Sequence, residues 1–233
     1  MSKPVCVVVG VGPGNGAAFA RRFDRAGYAV ALLARTTEFT AELADQLSDA
    51  RAYACDVTDR AAVESAFADV KSDLGPVNVL LYNAGSGVWG TVEEVDYDAF
   101  EQAWRVNCFG ALLCARQVIA DMKAAEKGSI IFTGATASLR GGAKFTAFAS
   151  AKAAQRNLAQ SMARHLGPSG IHVALVVVDG VVDLPRTRQM LPDRSEDQFL
   201  APDAIADTVY LVSTQDPSAW THELDLRPYT EKW

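Results

Sequence analysis

Phe148 and Lys152 stand four residues apart in the stretch FTAFASAKAA (145–154), and their types raise the first question about chemistry. In a helix this spacing places both side chains on one face, one turn apart. If that face lines a pocket, a catalytic site would need a hydroxyl where Phe148 has only a ring, because a phenyl group has no proton to exchange. The stretch is therefore either an active site without its acid or no active site at all.

A glycine-rich turn is the strongest local signal in the chain. It lies in VVVGVGPGNGAAFARRF (7–23), where Gly10, Gly12, Gly14 and Gly16 separate an apolar run from an amphipathic pattern. Glycines at this spacing allow a tight turn, a close approach of the main chain to a pyrophosphate, and close packing of helix on strand. The helix N-terminus that follows offers unpaired N–H groups and a positive dipole end to a phosphate. This context predicts a nucleotide site, whereas an isolated motif would indicate only a tight turn.

The end of the second apolar run favours NADP(H) over NAD(H). A dinucleotide fold selective for NAD places an acid there to accept the ribose 2′-OH. This chain has Ala34 and then Arg35, with no carboxylate until Glu38. An arginine at this position can pair with a 2′-phosphate through charge-assisted hydrogen bonds. The alternative is a solvated arginine at the end of a strand.

The elements that position these residues follow from hydrophobic periodicity. Near-continuous apolar runs are typical of strands buried on both faces of a parallel sheet. They lie at 5–9, 29–34, 52–55, 78–82, 129–133 and 172–178. A final short run, 223–227, could add an edge strand. Amphipathic patterns lie near 16–26, 38–48, 60–73, 97–125 and 148–166, the last stopped by GPSG (167–170). The alternation predicts an α/β, Rossmann-type doubly wound parallel sheet of about seven strands flanked by helices.

No repeat or linker divides the chain, so we expect one dinucleotide-binding domain over residues 1–233. One segment, 184–200, is unlike the rest: it is polar, punctuated by prolines and long for a connection in an α/β fold. Met190, Leu191 and Phe199 give it apolar side chains with which to close on a ligand. We interpret it as a substrate lid loop, with a surface insertion as the alternative.

Bulk composition narrows the class of protein. Hydrophobic residues make up 49% and charged residues 21% of the 233, as in a globular chain. The formal net charge of −6 argues against nucleic acid or an anionic membrane as the main partner and leaves a small-molecule substrate. No apolar stretch is long enough to cross a membrane, and the N-terminus does not resemble a signal peptide.

The cysteines and histidines show no metal-ligand spacing. They are Cys6, Cys55, Cys108, Cys114, His165, His172 and His222. Each cysteine lies in an apolar run, which predicts buried, reduced thiols in a cytoplasmic protein. The histidines are scattered, so no metal is assigned.

Five separated motifs together resemble the short-chain dehydrogenase/reductase family over nearly the whole chain. They are Gly10-x-x-x-Gly14-x-Gly16, CDV (55–57), YNAG (82–85), VNCFG (106–110) and AKAA (151–154). The resemblance implies a Rossmann fold and binding of a nicotinamide dinucleotide. The cofactor-binding residues it implies are Gly10, Gly14, Asn15, Gly16, Arg35, Asp56, Val57, Asn83, Ala84, Gly85, Lys152, Gly180 and Val182.

The departures from the family pattern concern its proton chemistry. The family places tyrosine four residues before the lysine, where this chain has Phe148, and serine thirteen residues before the tyrosine, where it has Ala135. A Pro-Gly pair is replaced by DG (179–180), and a threonine that helps to hold the nicotinamide amide is replaced by Leu184. Loss of a positioned general acid costs about 10²–10⁴ in rate, and loss of an oxyanion donor about 10²–10³.

Three explanations stay open at this point. The chain is an oxidoreductase whose proton comes from elsewhere, a sensor or regulatory protein that binds NADP(H) without turnover, or a scaffold with a repurposed pocket. For the first, the resemblance implies Lys152 and Asn107 as catalytic candidates. Ser138, three residues past Ala135, is the best local candidate for a proton donor, with Thr136, Thr146 and Ser150 behind it. The substrate-facing candidates are Ala135, Ser138, Phe148 and Leu184, an apolar set that favours a hydrophobic substrate.

The assembly is also implied by the resemblance. Helices 97–125 and 148–166 carry small residues, and in the family the corresponding helices form a four-helix interface. We therefore expect a homodimer or homotetramer, although burial within one chain would account for part of the same pattern.

Overall fold

The fold is built on a seven-stranded parallel sheet. A computed structural model describes residues 3–231. Its strands are β1 (Val5–Val9), β2 (Ala29–Ala34), β3 (Ala50–Ala54), β4 (Val77–Tyr82), β5 (Gly128–Ala135), β6 (Ile171–Val178), β7 (Val181–Val182), β8 (Phe199–Leu200) and β9 (Glu223–Leu226). The order across the main sheet is β3-β2-β1-β4-β5-β6-β9, with every neighbouring pair parallel. The two-residue strands β7 and β8 pair with each other outside this sheet.

Helices cover both faces of the sheet. They are α1 (Asn15–Arg25), α2 (Glu38–Ala44), α3 (Arg60–Leu74), α4 (Tyr97–Trp104), α5 (Gly110–Ala124), α6 (Thr146–Leu166), α7 (Pro185–Met190) and α8 (Pro202–Ser213). Buried side chains of α1, α2 and α8 form the core on one face, and those of α3, α5 and α6 form the core on the other. This arrangement confirms the predicted α/β Rossmann-type fold.

The strands form where they do because β-branched and aliphatic residues fill both faces. In β1 the side chains of Val5, Val7 and Val9 enter one core, and those of Cys6 and Val8 enter the other, as the period of two requires. All five are buried, which agrees with the predicted two-sided burial of a central strand.

Three predictions about individual elements were wrong. Strand β3 is not buried on both faces, because it lies at the sheet edge and only Tyr53 among its residues is buried. The helix predicted near 97–125 is divided by a π-helical segment, Arg105–Phe109. Cys108, in that segment, is only half-buried, whereas the other three cysteines are buried as predicted.

The strand order creates the crevice that matters for function. From β1 the chain builds the sheet toward β3 in one direction and then toward β9 in the other, so the connections after β1 and β4 diverge. In such a sheet the crevice opens at the carboxyl ends of the two central strands. Both the glycine-rich turn, which follows β1, and the segment after β4 begin there. Across residues 3–231, no helix combines the length and apolar character needed to cross a membrane.

Candidate active site

A cavity of about 920 Å³ lies at the carboxyl ends of β1 and β4. Its wall contains eleven of the thirteen residues predicted to bind a cofactor: Gly10, Gly14, Asn15, Gly16, Arg35, Asp56, Val57, Asn83, Ala84, Gly85 and Val182. The two that do not line it are Lys152 and Gly180. Residues outside the predicted cofactor set also contribute to the wall: Val11, Gly12, Pro13, Ala34, Thr36, Phe39, Cys55, Ser86, Gln102, Val106, Pro185 and Arg186.

The glycine-rich turn, residues 10–16, forms a concave main-chain surface that we call the cradle. Side chains at Gly10 or Gly16 would collide with the main chain around it. Gly10 has a φ of +85°, and a Cβ at this position would collide with the main chain of Ala84. A Cβ on Gly16 would lie 2.7 Å from the carbonyl oxygen of Gly10. At Gly12, in contrast, an added Cβ would have no heavy atom within 4 Å, so the turn is open on this side. The amide of Asn83 fixes the turn to the end of β4 by donating to the Gly10 carbonyl oxygen at 2.8 Å.

The far end of the cavity carries one exposed cation beside an aromatic ring. Arg35 follows β2 and lines the cavity together with Thr36 and Phe39. Across the cleft, the Asp56 carboxylate accepts from the backbone N–H of Thr58 at 2.9 Å and from its hydroxyl at 2.8 Å. The carboxylate is thus held by its own turn, whereas the Arg35 guanidinium makes no ion pair with any described residue.

The segment predicted to be a lid contains regular structure. It includes α7, a 3₁₀ turn at Glu196–Gln198 and β8, and the Arg188 guanidinium forms a bidentate pair with Asp183 at 2.6 and 2.9 Å. Leu184, at its start, reaches the glycine-rich turn: a Cβ on Gly14 would lie 2.8 Å from Leu184 Cδ2. The start of the lid segment therefore forms one wall of the cavity. The apolar side chain of Leu184 packs on the glycine-rich turn at Gly14.

Lys152 and Asn107 lie behind the cavity wall formed by Gly85. The Lys152 ammonium is 5% exposed and donates to the Thr133 carbonyl oxygen at 2.8 Å. Burial lowers the pKa of Lys152 to about 8. The Asn107 amide donates to the carbonyl oxygens of Ser86 at 3.0 Å and Ala103 at 2.8 Å. A Cβ on Gly85 would lie 3.4 Å from Asn107 Oδ1 and 3.9 Å from Lys152 Nζ, so both groups are close to this part of the cavity wall.

A residue that the sequence did not single out joins these two. Gln155 is fully buried, and its amide oxygen accepts from Lys152 Nζ at 3.2 Å. Its amide nitrogen donates to the main-chain carbonyl of Asn107 at 2.8 Å. The sequence gives one signal for this role: Gln155 is an amide among the small residues of α6. A buried amide must find hydrogen-bond partners, so its position could have indicated these contacts.

Phe148 belongs to an aromatic cluster at the start of α6. Its ring meets Trp89 edge-on with centroids 5.3 Å apart, and Trp89 meets Phe145 in the same manner at 4.7 Å. Trp89 is 58% exposed despite these contacts. The segment carrying it is held by hydrogen bonds between Gly90 and the residues before α6, including Gly90 N–H to the Lys144 carbonyl at 2.9 Å. The cluster presents a partly exposed apolar surface around Phe148, the position that the family resemblance matched to a tyrosine.

The hydroxyls near Ala135 are engaged with the protein. Ser138 is buried and accepts from the Ala135 N–H at 3.1 Å, which leaves its own O–H as a donor. Thr136 donates to the carboxylate of Asp179, a buried side chain that is also paired with Arg227 at 3.0 Å. Ser150 donates to the Thr146 carbonyl oxygen within α6. Tyr82, in the YNAG motif, is fully buried, donates to the Val106 carbonyl oxygen, and has a pKa raised by burial.

The structure thus gathers the predicted cofactor residues around one cavity but not the predicted catalytic ones. Of the substrate-facing candidates, Leu184 lines the cavity, while Ala135, Ser138 and Phe148 do not. Gly180 packs against Pro228, where a Cβ would lie 2.9 Å from the proline ring. Within residues 3–231, no three histidine, cysteine, aspartate or glutamate side chains are grouped so as to hold a metal ion.

The cavity fits a dinucleotide on its own geometry. Its two ends differ chemically: one offers a glycine-lined helix N-terminus suited to a pyrophosphate, and the other offers an arginine and an aromatic ring suited to a phosphorylated adenosine. A cradle closed to side chains at Gly10 and Gly16 and open at Gly12 is what close approach of a phosphate to the main chain requires.

Comparisons with known proteins agree with this geometry. The family model described as short chain dehydrogenase matches residues 4–194. The chain is 34% identical to meso-2,3-butanediol dehydrogenase from Serratia marcescens over 72% of its own length and 68% of the relative's. It is 30% identical to a Xanthobacter autotrophicus protein named inactive 2-(S)-hydroxypropyl-CoM dehydrogenase 2, over 78% and 80% of the two chains. The crystal structure of a metagenomic short-chain oxidoreductase in complex with NADP superposes with a TM-score of 0.85 at 28% identity, covering 99% of both chains.

Proposed function

The chain belongs to the short-chain dehydrogenase family, and we propose that it is an NADP(H)-dependent oxidoreductase acting on a small, hydrophobic substrate with a non-standard proton donor. The observation that carries the proposal is the glycine-lined cavity that ends in Arg35. When bound, the dinucleotide supplies the hydride. This chain's residues bind it, orient it and shield the reacting end from water.

The preference for NADP(H) rests on charge at the adenosine end. Arg35 lines the cavity beside Ala34 and Thr36, where a fold selective for NAD would present a carboxylate. A guanidinium without an ion pair can form charge-assisted hydrogen bonds with a 2′-phosphate. The NADP in the metagenomic relative is consistent with this preference.

The proton is the part of the reaction that this chain supplies differently. Phe148 and Ala135 offer no donor, whereas the Ser138 hydroxyl accepts from the Ala135 N–H and keeps its own proton for donation. We assign the proton to Ser138, with Lys152 and Asn107 holding the reacting end of the cofactor through the wall at Gly85. An activated C=C bond suits this site better than a ketone, because its proton is added to a carbon after hydride transfer and not to the carbonyl oxygen by a phenol.

The test combines binding with turnover. Fluorescence titration with NADPH and NADH measures the dissociation constant of each, and we expect tighter binding of NADPH. A panel of enones and ketones with apolar substituents then reports turnover by NADPH absorbance. We expect Ser138→Ala to lower turnover about 10²-fold or more while leaving the NADPH dissociation constant unchanged. Absence of binding by either dinucleotide would refute the proposal.

A second candidate is a sensor that binds NADP(H) without turnover. The specific observation in its favour is the loss of both hydroxyls while the cradle is intact, and one relative at 30% identity is named inactive. Tight NADPH binding with no turnover on the whole panel, and no change on Ser138→Ala, would favour the sensor over the enzyme.

We propose a homodimer or homotetramer formed through the helical segment of α4 and α5 and through α6. Tyr97 and Trp104, one face of α4, are 91% and 41% exposed, an unusual exposure for large aromatic side chains. Light scattering on the purified protein gives the mass, and Tyr97→Glu with Trp104→Glu should yield monomers. All four cysteines are free, so we also propose a reducing, cytoplasmic location.

A further inference from the structure

Gln155 connects the two polar groups behind the cavity wall. Its amide oxygen accepts from Lys152 Nζ at 3.2 Å, and its amide nitrogen donates to the Asn107 carbonyl at 2.8 Å. The orientation of the amide is fixed by its partners, because an ammonium only donates and a carbonyl only accepts. Gln155 is fully buried, so neither bond competes with water.

The Lys152 ammonium has three N–H donors, and the protein occupies two of them. One donates to the Thr133 carbonyl in β5 and one to Gln155. The third has no partner among the described residues. Lys152 Nζ lies 3.9 Å from the position of a Cβ on Gly85, a residue without a side chain that lines the cavity.

We propose that Gln155 is a positioning residue that holds the Lys152 ammonium in its charged form and directs its one remaining N–H past Gly85 into the cavity, toward a hydroxyl of the bound dinucleotide. Anchorage on the Asn107 carbonyl keeps the amide from following the lysine into the cavity. The proposal rests on the proposed function only in naming a dinucleotide as the ligand.

The charge of Lys152 depends on few groups. Those facing it are the Thr133 carbonyl from β5, the Gln155 amide from its own helix and the segment after β4 at Gly85. Burial is the cause of its lowered pKa of about 8, and no charged side chain contributes. An acceptor oxygen stabilises the ammonium over the amine, so its removal moves the ionisation to lower pH, and a carboxylate in its place moves it to higher pH.

Two variants with opposite expected signs test the proposal, using the full-length protein. Gln155→Met removes both hydrogen bonds at similar length, and Gln155→Glu supplies a carboxylate to the ammonium. Gln117→Met is the matched control, because the Gln117 amide bonds only to the Leu113 carbonyl of its own helix. The Nζ ionisation is followed by ¹⁵N NMR of lysine-labelled protein, assigned with Lys152→Met, and the NADPH dissociation constant is measured from pH 6 to 10.

The expected result is a shift of the Nζ midpoint by about one pH unit downward in Gln155→Met and upward in Gln155→Glu, with none in Gln117→Met. NADPH binding at pH 7.5 should weaken roughly tenfold in Gln155→Met. Identical Nζ midpoints in all variants, with only thermal stability lowered, would overturn the proposal. If the midpoints shift as expected but the wild type binds no dinucleotide, the positioning of the ammonium stands and the proposed function fails.

Discussion

The glycine-rich turn and the surroundings of Ala135 and Phe148 depend on different parts of the chain. At the glycine-rich turn the chain keeps the residues that a phosphate needs, and the geometry there is closed to side chains at Gly10 and Gly16. Ala135 ends β5 and Phe148 lies in the first turn of α6, and neither side chain carries a hydroxyl. Binding of a phosphate at the glycine-rich turn depends on the shape of the main chain, whereas proton transfer depends on single side-chain hydroxyl groups.

This difference shows why binding can outlast catalysis in such a fold. A phenyl ring fills the volume of a phenol and packs on Trp89 with centroids 5.3 Å apart, so its substitution costs little in packing. A methyl group at Gly10 has no comparable space and would also have to adopt a φ of +85°. Selection can therefore remove the proton donor without disturbing the cradle.

Restoring both hydroxyls is the change with the largest expected effect. Phe148→Tyr with Ala135→Ser should raise ketone reduction by about 10²–10⁴, because a positioned acid lowers the barrier to protonating the developing alkoxide. NADPH-dependent turnover measures it, with Phe145→Tyr as a control that adds a phenol to the same cluster at another position. If the double variant binds NADPH normally and reduces no ketone, these two positions do not face the substrate.

A side chain at Gly10 should abolish NADPH binding at the glycine-rich turn. Gly10→Ala is expected to lower the free energy of unfolding by about 3 kcal/mol and to remove NADPH binding, because the new Cβ meets the main chain of Ala84. Urea denaturation and titration measure both, and Gly12→Ala, in the open part of the same turn, should be as stable as wild type. Normal NADPH affinity in Gly10→Ala would contradict the view that this end depends on the main chain.

Lys152 gives the crevice a pH-dependent stability. Burial lowers its pKa from the ordinary 10.5 to about 8. Between these values the unfolded chain holds more protons than the folded one, so the free energy of unfolding rises with pH, by about 3 kcal/mol at most. Lys152→Met should lack this rise, which urea denaturation at pH 7 to 10 detects as a wild-type minus variant difference that increases with pH. A constant difference would mean that water solvates the ammonium.

Arg35 should have the smallest of these effects and should act on one cofactor. Arg35→Gln is expected to weaken NADPH binding roughly tenfold and leave NADH binding unchanged, because only NADPH carries the 2′-phosphate. Arg51→Gln, which removes an exposed arginine paired with Asp73, is the control. Equal weakening of both cofactors would place the Arg35 contact elsewhere on the dinucleotide.

Most of the fold could be predicted because its signals are local. The strands from β1 to β6 lie within a few residues of the apolar runs, and β9 lies at the predicted edge. Helix α8 was missed because its apolar residues follow a polar segment whose prolines suggested a loop throughout. The π-helical break at Arg105–Phe109 has no signal in the periodicity, since it depends on the tertiary contacts of Asn107 with Ser86 and Gln155.

The candidate site was predictable where it is made of main chain and much less where it is made of contacts. Eleven of the thirteen cofactor-binding residues predicted from the glycine spacing and the order of the motifs line one cavity. They could not show that Ser138 bonds to Ala135, that Thr136 bonds to Asp179, or that Trp89 covers Phe148. The last two contacts join residues from segments after different strands, which come together only when the chain folds.

The pairing of β7 with β8 brings the two ends of the lid segment together outside the main sheet. Val181 and Val182 pair with Phe199 and Leu200, and the Asp183 N–H donates to the Leu200 carbonyl at 2.8 Å, so the segment leaves and returns at one place. Residues 184–198 can therefore be exchanged as a cassette with both hinges kept. A small library of such grafts would vary the substrate range of this scaffold without altering the register of its strands.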